Sequence, residues 1–214
     1  MSSITAGTAL GGGLLYDSDT TGNLVIKTGN SASIAATFHG NSAVVFTGEV
    51  YISGAPLRTI VAAGTANTTV SGSTVIIHDG IPTWAKRVTI LYSGLSTNGT
   101  NPIVIQAGSG TFKTTGYLGA AAVVEGATGY TVGFGIGNSN VSNADLHHGT
   151  IVLNLLNANT NTWIASGTAA RSDSVEAGFT GGAVSLAGVL DRIRFTTVGG
   201  TDLFDAGVTN ILWE

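Results

Sequence analysis

No cysteine occurs among the 214 residues, which excludes disulfides, thiolate zinc sites and thiol catalysis together. Charge is scarce as well: eight Lys and Arg against twelve Asp and Glu leave a net charge of −4. A nucleic-acid binder needs a basic stripe to displace counterions from phosphates. Only Lys86-Arg87 and Arg192/Arg194 cluster here, so no nucleic-acid partner is expected. No run of about 18 apolar residues appears, and no membrane insertion is expected. The opening MSSITAGTALGGG lacks the charged n-region and apolar h-region of a signal peptide. Without secretion, the sequons at Asn67, Asn98 and Asn140 read as chance in a chain rich in Asn and Thr. Helix formers are thin, with three lysines and four glutamates. No window carries an apolar 3.6-residue period over three capped turns.

What is present is glycine, 32 of them, with abundant Thr, Ser, Asn and Val. Such a composition describes short strands separated by turns, and the fold class expected is all-β. Residues 1–48 carry three small strand-like units, Leu24–Thr28, Ile34–Phe38 and Val44–Thr47, joined by Gly-Asn turns. One copy of such a meander buries too little apolar area for stability. Residues 1–48 are therefore read as an N-terminal assembly or attachment region that draws on several copies. Residues 49–79 read as connecting strands. Residues 80–214 read as a jelly-roll-like β-sandwich, with Val88, Ile90 and Tyr92 on one strand face and Ile103 and Ile105 on another. Within it, Tyr130–Ile136 is expected as one strand, and Gly207–Trp213 as a strand zipped into a sheet. Gly199-Gly200 is expected as a two-residue hairpin loop that pairs Val198 with Thr201, Phe195 with Phe204 and Arg194 with Asp205.

Candidate chemistry is sparse. In GYTVGFGIGNSN, Gly133, Gly135 and Gly137 alternate with apolar residues, and neither a lysine nor a helix follows. Nucleotide binding is excluded by that context; the expected role is a close-packing face against another backbone. His147 and His148 in DLHH are neighbours, so in an extended segment they point to opposite sides and cannot readily share a metal. A solvated loop pair is the expected reading. Asp17 and Asp19 in YDSDT suit Asx-turns better than calcium, which needs six or more oxygens. No G-x-S-x-G elbow occurs and no Ser-His-Asp set follows from spacing. Glu49, Glu125, Asp145, Asp173 and Glu176 read as a dispersed acidic background. Trp163 and Trp213 are expected in the core, whereas Trp84, beside Pro82 and Lys86-Arg87, is a candidate sugar or subunit contact. No catalytic residue, cofactor or metal ligand is assigned.

Two stretches resemble a known class. GGGLLYDSDTTGNLVIKTGNSASIAATFHGNSAVVFTGEV is similar to short modules near the N-terminus of tail-fibre-like and other structural proteins of tailed bacteriophages. IPTWAKRVTILYSGLSTNGTNPIVIQAGSG, followed by NTWIASG and LDRIRFTTVGGTDLFDAGVTNILWE, looks like a β-rich terminal domain of the same class. The resemblance implies a homotrimeric virion structural protein, assembled in the bacterial host cytoplasm and displayed on the tail or head. Its implied partners are itself, other virion proteins and a host-surface glycan, and it carries no catalytic residues to transfer. Collagen-like repeats, long heptads and an H-x-H motif, found in some fibres, are missing, which admits a capsid decoration protein as the alternative. A carbohydrate-binding module or glycan-degrading enzyme is the rival from another class.

Overall fold

The computed structural model describes residues 72–124, 126–174 and 176–214, together with the backbone of strand segments before residue 72. The chain divides into two compact units, Met1–Arg58 and Thr59–Glu214. In the first, β1 (Leu24–Thr28), β2 (Ser33–Phe38) and β3 (Val44–Val45) form an antiparallel sheet in that order, and β4 (Val50–Ile52) pairs with β5 (Ala55–Leu57). Asp17, Asp19, His39 and Glu49 lie outside the described residues.

The second unit contains β6 (Ala62–Ala63), β7 (Asn67–Thr68), β8 (Ile76–Asp79), β9 (Arg87–Thr97), β10 (Ile103–Ser109), β11 (Thr111–Phe112) and β12 (Leu118–Val123). It continues with β13 (Gly126–Tyr130), β14 (Phe134–Gly135), β15 (His147–Asn157), β16 (Thr162–Arg171), β17 (Glu176–Ser185), β18 (Arg192–Thr197) and β19 (Phe204–Trp213). A large sheet runs β13-β12-β17-β16-β15-β9-β19-β6, with β7 also on β19; a smaller one runs β11-β10-β18-β8, with β14 on β10. Every pairing is antiparallel. The fold is an all-β sandwich, as expected. Strands assigned by sequence to a connection over 49–79 are divided between the units, since β6, β7 and β8 join the sandwich. Its inner alternation explains β8: Ile76 and His78 are buried, Ile77 and Asp79 exposed.

The core follows the two-residue period of each strand. Val88, Ile90 and Tyr92 of β9 face Ile103 and Ile105 of β10 and Ile193 and Phe195 of β18 in one buried cluster. Tyr92 meets Phe195 edge to face across the two layers, with ring centroids 6.0 Å apart, a favoured aromatic geometry. Strand β10 is buried at every position from Ile103 to Gly108, as befits a strand covered on both sides. Its other side carries Val104, which packs with Ala121 and Tyr130.

The expected hairpin at Gly199-Gly200 does not form. Strand β18 lies between β10 and β8 in the small sheet, and β19 lies beside β9 in the large one, so residues 198–203 cross between the layers. Gly200 takes φ +69° and donates its N–H to the Thr197 carbonyl at 3.0 Å, a turn at the start of that crossing. Phe195 and Phe204 are both fully buried but belong to opposite sheets. Arg194 stands opposite Gln106 instead of Asp205 and bonds to its side-chain oxygen at 2.8 Å. The physical reason is that both edges of β18 are taken, by β10 on one side and β8 on the other, so no ladder edge is left for β19. A hairpin partner reached through two residues would have left it in the same sheet as β19.

A kink runs through the middle of the large sheet. The register of β9 shifts against β15 near Ser93-Gly94, and β19 shifts against β9 near Gly207. Both glycines have positive φ, +63° and +106°, and a Cβ on Gly207 would lie 2.5 Å from Leu95 Cα. Bulges of this kind need glycine for the left-handed conformation and for room.

Candidate functional site

The alternating glycines do not sit on a continuous strand. The stretch expected as Tyr130–Ile136 is interrupted, with bends between β13 and β14. Each bend lets the chain drop onto its own interior. A Cβ at Gly133 would lie 2.8 Å from Val104 Cβ and 3.0 Å from the Ile105 carbonyl oxygen. One at Gly135 would lie 2.2 Å from the Tyr130 ring, so its neighbour is an aromatic side chain and not a backbone. Gly137 is roomier, with His147 Cε1 3.8 Å away. The Tyr130 hydroxyl donates to the Gly137 carbonyl at 2.7 Å and pins the ring there. Gly135→Leu is therefore expected to destabilise the protein by at least about 1–3 kcal/mol through overpacking. Urea unfolding checks this, and an unchanged midpoint would mean that Tyr130 swings out freely.

The aromatic residues are mostly inside. Trp163 is fully buried, Tyr92, Tyr117 and Tyr130 are buried, and Trp213 packs half-buried against the core. Trp84 lies in the turn closed by the Ala85 N–H on the Pro82 carbonyl, and it too packs half-buried against the core. No tryptophan or tyrosine among the described residues forms an exposed stacking platform.

The two histidines belong to the start of β15 and not to a loop, which corrects the solvated-pair expectation. His148 fills the β9 bulge. Its Nδ1 accepts the Gly94 N–H at 3.2 Å, a bond that a backbone donor can make only to an unprotonated nitrogen. The ring proton therefore sits on Nε2, 3.0 Å from Ser172 Oγ. Ser93 Oγ is also 3.2 Å from Nδ1, yet this nitrogen is already engaged by the bulge and no carboxylate orients the ring. The arrangement holds the kink; it is not an activated nucleophile.

His147 points the other way, into the sandwich, and is 3% exposed. Neither ring nitrogen has a hydrogen-bond partner. Burial, with Arg171 and His148 nearby, pushes its pKa down to about 4 despite the opposing pull of Asp145 and Asp173. Beside it, Arg171 is clamped between two carboxylates. Its Nη1 lies 2.5 Å from Asp145 Oδ2, and its Nη2 donates to Glu176 Oε2. Nη1 also donates to the Asn140 carbonyl at 2.9 Å, and Asp145 Oδ2 accepts the Ser142 N–H at 3.0 Å. Asp173 accepts the Leu146 N–H at 2.9 Å. Burial works against the Arg171 charge, but Asp145 and Glu176 outweigh it and hold the guanidinium protonated. Three residues read as acidic background thus converge on one end of the sandwich.

Asp145 and Glu176 could suggest a glycosidase pair, because such enzymes flank a scissile bond with two carboxylates. Here Arg171 fills the space between them. The adjoining hollow is lined by Val123, Ile136, Val141, His147 and Ala169 together with the polar Asn138, Arg171 and Glu176. It has the character of a packing defect around a buried ion network. Among the described residues no group of three or more His, Asp or Glu is placed to hold a metal ion. The signal that could have revealed the cluster is local. Counting in twos from Trp163 through Ala165, Gly167 and Ala169 puts Arg171 on the inward face, and a buried arginine requires carboxylate partners.

Facing away from this cluster, the outer surface of the large sheet is nearly free of charge. Register places Leu118 opposite Ala183 and Ala183 opposite Ile164; Ala120, Gly181 and Ser166 form the next row, and Ala122, Phe179 and Thr168 the third. Val152 and Thr89 extend the Ser166 row across β15 and β9. Phe179 and Leu118 are 72% and 77% exposed. The charges on this surface stand at its end, where Arg87 pairs with Glu214 at 2.6 Å. No family model matches the chain, and no curated protein or solved structure is significantly similar to it.

Proposed function

We propose that this chain is a structural protein of a tailed-bacteriophage virion: a trimeric, β-rich tail-fibre-like appendage displayed on the particle, acting without catalysis or cofactor. The observation that carries the reading is the division of its chemistry. Among the described residues, Arg171, Asp145 and Glu176 are tied up in a buried ion network and Arg87 pairs with Glu214 at the end of the large sheet, while a broad, nearly uncharged sheet face bearing Leu118 and Phe179 is exposed. Exposed apolar patches of this kind mark interaction surfaces in soluble proteins. The sequence resemblance to phage fibre modules supplies the setting, with other virion proteins as mounting partners and a host-surface glycan as the outward contact.

Electron microscopy of purified particles labelled with an antibody to this chain tests the proposal. Label on the tail is the expected result, and label on the head would replace the appendage by a capsid decoration protein. Particles without label, or turnover of bacterial glycans by the purified chain, would overturn the reading.

A further inference from the structure

We infer that Arg194, on the outer face of the small sheet, receives the carboxylate of an acidic sugar in a glycan chain. The inference rests on the glycan contact in the reading above and names the chemistry of that contact.

Arg194 is set apart by what it lacks. Four arginines stand among the described residues, and three have a carboxylate partner: Arg87 with Glu214, Arg171 with Asp145 and Glu176, and Arg192 with Asp191. Arg194 has none. Its Nε donates to Gln106 Oε1 at 2.8 Å, and the four N–H groups of its terminal nitrogens have no partner. The side chain is half-buried all the same. Burial lowers its pKa, opposed by the Tyr117 hydroxyl and by no carboxylate. A cation partly withdrawn from water without a counter-charge is a standing cost that a bound anion relieves.

The cation is also held still. Ile193 and Phe195 are fully buried, so the two-residue period turns Arg192 and Arg194 to the outer face of β18. There Arg194 lies between Gln106 on β10 and Ile77 on β8. Gln106 is 5% exposed and fixed by a second bond, its Nε2 donating to the Val132 carbonyl at 2.7 Å. The Phe112 ring of β11, centred 4.5 Å from the guanidinium carbon, supports the other side of the fork. A guanidinium fixed in this way loses little freedom when a ligand binds.

One uncompensated positive charge suits one negative charge. A carboxylate matches the guanidinium fork with two parallel hydrogen bonds. A phosphate group carries roughly two charges, and Asp191 and Asp79 beside Arg192 stand on the same face to repel the excess. A nucleic acid would need a row of free cations. A protein partner would need an apolar centre to its interface. The neighbours here are Asp79, Asp191, Arg192 and Thr111, with Ile77 the one exposed large apolar side chain in these rows. Sugar hydroxyls both donate to and accept from such groups, so a sugar acid fits the charge and its surroundings together.

The test titrates the full chain with trigalacturonate and follows the side-chain Nε–H signal of Arg194 by NMR. That signal should shift on binding, and added salt should weaken the binding. Arg194→Gln is expected to raise the dissociation constant at least about tenfold, the size of a charged hydrogen bond lost. Arg194→Lys keeps the charge but loses the fork, and should not restore the affinity. Arg87→Gln, on the other sheet, should bind as wild type does, with near-ultraviolet circular dichroism as the check of fold. An unmoved Arg194 signal in the wild-type chain would overturn the inference without recourse to any variant. Equal binding of a neutral trisaccharide would overturn it too, as would tighter binding of inorganic phosphate or of a triglutamate peptide. Failure here strikes the acidic-sugar contact alone, because the particle labelling that decides the virion reading does not depend on Arg194.

Discussion

Arg171→Met should cost about 3–5 kcal/mol of stability, the range for removing one partner of a buried ion network. The side chains of Arg171, Asp145 and Glu176 are 11%, 5% and 11% exposed, so solvent screens them weakly. Methionine fills much of the volume but leaves two carboxylates facing each other in a poorly solvated place, and the Asn140 carbonyl loses its donor. The Asp145→Asn/Arg171→Met/Glu176→Gln triple variant removes all three charges. It should recover a large part of the loss, because an uncharged cluster of similar volume carries no unpaired ion. Urea unfolding of the single and triple variants at neutral pH measures both values. A single variant within about 1 kcal/mol of wild type would show that water reaches the cluster freely.

Stability is expected to fall steeply in mild acid. His147 has its pKa pushed down to about 4 in the folded protein, mainly by burial, against 6.5 when unperturbed. Between those limits the unfolded chain binds a proton that the folded protein does not. Stability therefore rises with pH through this window and is lost as the pH falls from about 6.5 toward about 4. At about 1.4 kcal/mol per pH unit the full loss is roughly 3 kcal/mol. The groups that set the shift are Asp145 and Asp173, which favour the proton, and Arg171 and His148, which oppose it. His78 acts in the same direction: burial lowers its pKa, with Asp79 opposing. Its ring is held 2.9 Å from Thr209 Oγ1. His147→Gln should flatten the stability–pH curve across this window and leave only the His78 part. Unfolding free energies at pH 7, 5.5 and 4.5 decide it, and an unaltered slope in the variant would place the proton elsewhere. Asp173 and Asp191, both held below the ordinary carboxylate range, add their own loss only at lower pH.

These two effects centre on residues that the sequence reading took one by one, Asp145 and Glu176 as acidic background and His147 as half of a solvated pair, with Arg171 not named, for an instructive reason. Asp145, His147, Arg171 and Glu176 are separated by up to 31 positions, and nothing in their spacing marks them as a group. The hydrogen-bonded pairings Arg171 with His147 and Arg171 with Glu176 bring them together, and both are pairings between strands. The bulge that turns His148 away toward Ser93 and Ser172 likewise exists only because β9 and β15 run side by side with Ser93 and Gly94 of β9 opposite the single residue His148, one extra residue on β9.

The sequence by itself determined the strand-and-turn class and which side chains share a strand face. The alternations Val88/Ile90/Tyr92, Ile103/Ile105 and Trp163/Ala165 are written into consecutive residues, and every one of them faces the core. Tertiary structure decided which strand lies beside which. Ladder hydrogen bonds join backbone groups that every residue except proline carries, so the pairing leaves little trace in side-chain identity. Phe195 and Phe204 fit a hairpin on paper as well as they fit opposite layers. The choice fell to the ladder: both edges of β18 are taken, by β10 and β8, which sends the following strand to the edge of β9 in the other sheet. The uncharged outer face arose in the same way, from outward positions on six strands whose neighbours no local pattern names.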